Sequence, residues 1–411
     1  MKIAVMLRHY DQHEGGVKVY THTIVPRLLG LGHDHEFVLL YKNRSLLGTF
    51  GDFPNVKEIV CPLPGKLLWD QVGVPWIARK EKVDVVFNAK FAIPLFSRVK
   101  KVFVLHGSEW FVVPEAFPWL DRFYARTVMP VYCRKSDAFV AVSSVIGRDA
   151  VKHTGVDPNK IFAVHNGFDP AAFRVIKEER ICNDVRDRYG LPNRSILWVG
   201  QIHPLKNVRR LLRAFASIKD QVPHDLVICG DKTPRGRHEL DEIDQLGIRD
   251  RVRFPGWVSH NDLPALYNLA DLFVLPSLYE GFGIPLIEAM ACGCPVLTSK
   301  TASPPEVTNG AAILVDPLNV DDIASGMLRV LSNPLLQKEM VEKGLRRAQE
   351  FSWDKCAASV LQVLRAVAES QPATSVGRPM DNSPLWKALR LRWRWACGAV
   401  HALVGWISDW L

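Results

Sequence analysis

The stretch Leu275-Pro-Ser-Leu-Tyr-Glu280-Gly-Phe-Gly-Ile-Pro-Leu-Ile-Glu288-Ala-Met-Ala-Cys-Gly-Cys-Pro-Val296 reads as a strand, a turn and a helix in immediate succession. The apolar run Leu272–Leu275 leads into a turn carrying Gly281 and Gly283, and Pro285 sits where a helix tolerates proline best, near its first position. Bare amides at such a turn, aimed by a helix N-terminus, attract anionic oxygens such as phosphates. Glu280 and Glu288 flank the turn with seven residues between them. Their carboxylates accept hydrogen bonds from sugar or ribose hydroxyls. One end therefore suits a diphosphate and the other a polyol, the two halves of a nucleotide-sugar.

Outward from this segment, short apolar runs alternate with helical patterns, which predicts parallel sheets with crossover helices. In the first half the strands are expected at 3–7, 37–41, 83–87, 102–105, 138–142 and 161–164, with helices such as Lys18–Leu31 and Pro118–Arg134 between them. In the second half they are expected at 196–199, 226–229, 252–254, 272–275, 295–298 and 312–315. Each half is thus an α/β doubly wound unit, which binds ligands beyond the carboxyl ends of its strands. The boundary is placed in Phe168–Asn193, a charged stretch without a clear apolar period. Neither half carries a Gly-x-Gly-x-x-Gly fingerprint after a strand, which argues against a dehydrogenase.

The 411 residues are 48% hydrophobic, enough for two cores. A net charge of +9 favours anionic partners, a nucleotide diphosphate or an acidic membrane face. No compact basic-aromatic module points to nucleic acid. Of the eight cysteines only Cys292 and Cys294 are close, with neither redox nor zinc spacing, so reduced buried thiols are expected. The N-terminal apolar run is too short for a signal peptide and reads as a first strand.

Lys206 follows the strand at 196–199 and stands beside the start of the helix Val208–Lys219. A fixed ammonium there suits a departing diphosphate. No Asp-x-Asp cluster stands at a strand end, and Asp321-Asp322 reads as a pair complementing a helix dipole, so no metal or other cofactor is expected. Gly230 and Asp231, closing the strand at 226–229, are expected to line a donor pocket. Val258, in Gly256-Trp257-Val258, is expected to help place the base, and Ser277 to donate to the phosphate side.

The segment from Glu280 to Glu288 resembles the signature of the retaining family-four glycosyltransferases. The resemblance implies a GT-B fold: two Rossmann-like domains facing across a cleft. On this reading residues 1–180 form an acceptor domain and 181–350 a nucleotide-sugar donor domain. Residues 351–370 are a helix crossing back, and 371–411 a linker and an amphipathic tail. It implies that Glu280, Gly281, Phe282 and Gly283 contact the donor sugar and Glu288 the ribose. It further implies that Gly16, in Gly15-Gly16, and Gly200 approach the diphosphate, and that His106 supports the reacting centre. Glu109 is placed to orient the acceptor. Ser143-Ser144 and Asn166-Gly167 also match family positions, although capping and turn roles explain them as well. Relatives usually carry an Arg next to the glycine or to the lysine. Those positions are Gln201 and Leu205 here, so Arg209 or Arg210 is a candidate replacement.

The tail 384–411 holds five of the twelve tryptophans, with Lys387, Arg390 and Arg394 on one helical face and Leu385, Leu389 and Trp393 on the other. Its uncharged run is short of the roughly 20 residues that span a bilayer. A basic, Trp-rich amphipathic helix fits an anionic membrane interface; the other reading is a helix docked on the protein itself.

The expected function is retaining, metal-independent transfer of a hexose, mannose first, from a GDP- or UDP-linked sugar. The acceptor is a glycan or lipid-linked molecule of cell-surface polysaccharide synthesis, handled in the cytoplasm on the inner membrane face. His106, Lys206 and Glu280 are the candidate catalytic residues. The competing readings are a soluble glycogen- or sucrose-type transferase, a catalytically silent nucleotide-sugar-binding partner, and a nucleotide-sugar epimerase of the same fold.

Overall fold

The computed structural model describes residues 1–8, 10–11, 15–236 and 238–370. The tail expected at 384–411 lies outside the described residues.

The first sheet contains β1 (Lys2–Met6), β2 (Glu36–Tyr41), β3 (Val56–Val60), β4 (Val85–Asn88), β5 (Lys100–Leu105), β6 (Ala138–Ala141) and β7 (Ile161–Ala163). The second contains β8 (Ser195–Val199), β9 (Asp225–Cys229), β10 (Val252–Gly256), β11 (Leu272–Leu275), β12 (Val296–Ser299) and β13 (Ile313–Val315). The orders are β3-β2-β1-β4-β5-β6-β7 and β10-β9-β8-β11-β12-β13, with every pair parallel. These are the two doubly wound sheets that the alternating apolar runs predict. Central strands such as Phe273–Leu275 are buried on both faces, because helices cover both sides of a parallel sheet.

Two elements escape the apolar pattern. β3 is the edge of its sheet and alternates Lys57 and Glu58 with partly exposed apolar residues, so it never forms a continuous apolar run. Glu58 earns its place by accepting a hydrogen bond from the Tyr41 hydroxyl at 2.9 Å. The second is the helix Glu179–Tyr189, inside the stretch expected to be aperiodic. Val185 is its one buried residue, so it presents no stripe to recognise.

The chain passes from the first sheet to the second after β7 and returns in the helix Trp353–Glu369. Ser352 caps that helix through its hydroxyl, which accepts from the amides of Asp354 and Lys355. The helix packs on Gly16–Leu31 and against β4, β5 and β6. Arg27 Nε meets Asp354 Oδ1 at 2.8 Å, and Lys100 Nζ donates to the Val367 carbonyl at 2.7 Å. The outgoing and returning segments touch at Gly167, where a Cβ would stand 2.1 Å from the Trp353 nitrogen. Only glycine fits there.

Candidate active site

In each sheet the order of strands reverses between two central neighbours, β1 and β4 in the first, β8 and β11 in the second. Loops leaving the carboxyl ends of such strands diverge and open a crevice. The loop after β8 carries Gly200 and Lys206; the loop after β11 carries Ser277, Glu280, Gly281 and Gly283. Both therefore project from one switch point.

Backbone packing sets these loops. A Cβ on Gly230 would lie 1.8 Å from the Gly200 carbonyl oxygen, so the loops after β8 and β9 lie backbone to backbone. Asn207, in the left-handed region at φ 59°, turns the chain into the helix Val208–Ile218. Its side-chain amide donates to the carbonyls of Pro276 at 2.9 Å and Pro317 at 2.6 Å. The Leu278 amide donates to the Leu205 carbonyl at 2.8 Å. With the loops so pinned, Lys206 Nζ stands 2.7 Å from Glu280 Oε1, and Ser277 Oγ donates to the same oxygen at 2.6 Å. Glu280 is 7% exposed, and a buried carboxylate needs partners of this kind.

The first domain closes over this trio. A Cβ on Gly281 would stand 1.7 Å from the His106 carbonyl oxygen, so the glycine turn abuts the end of β5 with no room for a side chain. The Gly281 carbonyl accepts from Ser143 Oγ at 3.0 Å and Ser303 Oγ at 2.8 Å. The Tyr279 hydroxyl accepts from the Ser108 amide at 3.1 Å and donates to Asp149 Oδ2 at 2.9 Å. His106 Nε2 lies 2.7 Å from the Ala89 carbonyl, which can only accept, so Nε2 carries the proton and Nδ1 is left bare. Burial above all, with the Lys90 ammonium, lowers this imidazole to about 4 against the opposing pull of the Ala89 bond. The Glu109 carboxyl is raised to about 7 on balance, with burial the largest cause. Its own amide and Lys206 pull it down, while Glu280 pushes it up, which places Glu109 opposite the pair.

Glu306 makes a second seam. Its carboxylate accepts from the amides of Ser144 at 2.8 Å and Val145 at 3.1 Å, at the N-terminus of the helix Ser144–Thr154, and pairs with His165 Nε2 at 2.7 Å. Burial pushes this carboxyl up, but the bonds from His165 and the two amides outweigh it and hold it at about 2. Nothing local in the sequence announces a carboxylate that caps a helix of the other domain.

The remaining expected residues are placed as follows. Gly15, at φ 118°, comes closest to Gln201, whereas a Cβ on Gly16 would meet nothing. Gly230, Asp231 and Gly256 line a cavity of about 640 Å³ together with Ile202, Arg249 and Phe254. Val258 is buried and is not part of that lining. Phe282 packs its ring edge-on against Phe351 at 5.6 Å, so only its backbone is left to serve a ligand. Glu288 accepts from the Tyr267 hydroxyl at 3.2 Å and lines a smaller cavity of about 120 Å³ with Thr23, Arg27 and His260. Burial raises its carboxyl to about 7.

Arg209 and Arg210 both point to other partners. Arg210 Nη1 donates to Asn207 Oδ1 at 2.9 Å; Arg209 donates to the His238 carbonyl at 2.9 Å and lies 3.4 Å from Glu242. A different guanidinium reaches across to the first domain. Arg235, on the loop after β9, pairs with Asp121 of the first domain and lies over the Phe117 ring at 5.5 Å. After burial, the two charges that hold the His203 ring down, to about 4, are Arg235 and Lys206. Arg235 therefore stands on the lysine side of the cleft, five residues past the Gly230 that drew attention to this loop.

Among the described residues, no group of three or more His, Cys, Asp and Glu is placed to hold a metal ion, and the seven cysteines are free thiols. Among them, too, no helix is long and apolar enough to cross a membrane.

Comparison with known proteins agrees with this fold. The model of glycosyltransferase family 4 matches residues 14–172, and that of glycosyl transferases group 1 matches residues 186–347. The MMP alpha-(1->4)-mannosyltransferase of Mycolicibacterium hassiacum is 30% identical over 78% of this chain and 72% of that protein. The chain is a family 4 glycosyltransferase of the GT-B type. The O-antigen chain mannosyltransferase B of Escherichia coli is 35% identical over 45% of this family 4 chain and 49% of its own length. The serotype-specific mannosyltransferase WbdA of the same organism is 29% identical over 59% of the chain. The chain thus spans about half the length of the first and 30% of the second. Among solved structures, HepE from Anabaena in complex with UDP and glucose superposes with a TM-score of 0.71 at 19% identity, covering 89% of this chain and 100% of that one.

Proposed function

We propose that this glycosyltransferase moves a hexose, mannose first, from a nucleotide-sugar to a glycan or lipid-linked acceptor of cell-surface polysaccharide synthesis, with retention and without a metal. The observation that carries the reading is the meeting of Lys206, Ser277 and Glu280 on two switch-point loops, with His106 and Glu109 facing them. The mannosyltransferase names of several relatives motivate the sugar.

The donor diphosphate lies along the loop after β8 and the amides of the glycine turn, its base toward the cavity lined by Gly230 and Gly256. Glu280 accepts a sugar hydroxyl, and Lys206 exchanges part of its contact with Glu280 for the phosphate. As the C1–O bond to phosphate breaks, Lys206 and the turn amides meet the growing charge. The acceptor hydroxyl forms its bond to C1 on the face the phosphate leaves, and its proton passes to the phosphate oxygen. His106, neutral and fixed by Ala89, shapes that face without taking the proton.

Purified protein screened by thermal shift against GDP, UDP and ADP sugars is expected to choose one base. Turnover of that donor, with the product anomer read by NMR, tests retention. No stabilisation by any of them, or an inverted product, would overturn the reading.

A further inference from the structure

The switch point of the first sheet offers a second crevice, between the ends of β1 and β4. Met6 pairs with Asn88 in parallel register where both strands end, and Arg8 and Lys90 each stand two residues beyond that end, close enough for their charges to act on each other. A third cation joins them from the helix Lys66–Leu68. Lys66 Nζ lies 3.3 Å from the Tyr124 hydroxyl, 5.6 Å from the Phe91 ring centre and 5.4 Å from that of Tyr124. The Asp70 carboxyl, 4% exposed, lies among them; burial, which outweighs the opposing pull of Lys66 and Arg8, leaves it raised to about 6. Burial, then Lys66 and Arg8, lower the Lys90 ammonium to about 8. Lys90 in turn acts on His106, so the cluster adjoins the candidate reacting centre.

The mouth of this corner is apolar. Gln71 donates to the Ile93 carbonyl at 2.9 Å and accepts from the Leu95 amide at 2.7 Å, joining the 66–73 segment to the loop after β4. Around that junction Leu67, Val72 and Phe96 are 48%, 52% and 70% exposed, and Trp119 and Phe123, flanking Tyr124, are 66% and 63% exposed. Scattered apolar residues are ordinary on a surface, but a group on three adjoining segments marks an interaction site. Like charges crowded under an apolar rim fit a ligand with a strongly anionic head and a hydrocarbon body.

We propose that this corner is the acceptor subsite and holds the phosphate or diphosphate of a lipid-linked acceptor, with Arg8, Lys66 and Lys90 on its oxygens and the rim against its hydrocarbon. The proposal rests on the transferase reading above and gives its acceptor a chemical class.

The test is calorimetric binding of farnesyl diphosphate to the full chain, with farnesol and mannose 6-phosphate as controls. Farnesyl diphosphate should bind wild type and Lys206→Gln alike, since Lys206 serves the donor side. The double variant Lys66→Gln/Lys90→Gln should lose about tenfold or more, as expected for two charge-assisted contacts. Farnesol and mannose 6-phosphate should each bind at least about tenfold more weakly, one lacking the anion and the other the hydrocarbon. Should the double variant fail to fold, Lys66→Gln alone carries the comparison. Unchanged binding in the Lys66 and Lys90 variants, or a loss confined to Lys206→Gln, would overturn the subsite. Nucleotide-sugar binding by the same samples separates the two readings: where the donor binds and farnesyl diphosphate ignores these lysines, only the subsite falls.

Discussion

Lys206 Nζ and Glu280 Oε1, 74 positions apart in the chain, meet at 2.7 Å across the switch point of the second sheet. The pair is held ready by tied loops, since Asn207 bonds the Pro276 carbonyl of the loop that carries Glu280 and the Pro317 carbonyl after β13. Preorganisation of this kind lets a charge be met as it forms without rearranging the site.

Lys206→Ala is expected to lower kcat for donor turnover by about 10² to 10³, the usual loss for removing one preorganised group that meets developing charge. Donor hydrolysis by the purified variant checks it. A rate within threefold of wild type would show that the diphosphate leaves elsewhere.

Glu109 makes stability depend on pH. Its folded carboxyl sits at about 7, above the 4.5 of an ordinary glutamate, because burial disfavours the charge. Between those values the unfolded chain gives up the proton while the folded one keeps it, so stability falls as pH rises from 4.5 to 7 and is level beyond. Glu109→Gln removes this slope. The two proteins should melt alike near pH 4, and the variant should melt higher at pH 8.

His106 should stay neutral through the working range, since its ring is held near 4. In an NMR titration its Cε1 proton is expected not to shift between pH 8 and pH 5. A midpoint near 6.5 would contradict the burial that holds it down.

Glu306 runs the other way. With its folded carboxyl at about 2, its contribution is complete above 4.5 and is lost as pH falls through 2. Glu306→Ala should cost about 1–3 kcal/mol at pH 7, because the amides of Ser144 and Val145 lose their acceptor. Denaturant unfolding measures this, and the gap should narrow in acid.

Gly281→Ala places a methyl against the His106 carbonyl, where backbone meets backbone. The two domains must part by well over an ångström, since the added carbon would stand 1.7 Å from that oxygen. Turnover should drop while donor affinity, set within the second domain, changes little. An unchanged kcat would mean that the seam opens during catalysis.

The sheets were readable because their central strands are buried on both faces and stay apolar without interruption, as at Leu272–Leu275. β3 was not, because an edge strand with Lys57 and Glu58 looks like any charged turn. Lys206 and Glu280 could each be picked out by their place after a strand, but their ion pair could not, since nothing in a linear chain states which loops share a crevice. Arg235 and Glu306 were invisible for the same reason. Each acts on the other domain, so its partner, Asp121 or the helix at Ser144, leaves no periodic trace beside it.

The contact of Gly167 with Ser352 and Trp353 bears on how the cleft works. Two covalent tethers join the halves of the molecule, and they run side by side at one spot instead of standing apart. A paired tether of that sort is a pivot: it leaves rotation free while resisting translation. Small angular changes there become wide excursions at the far lip, so substrate entry and product exit need little reworking of the seam itself.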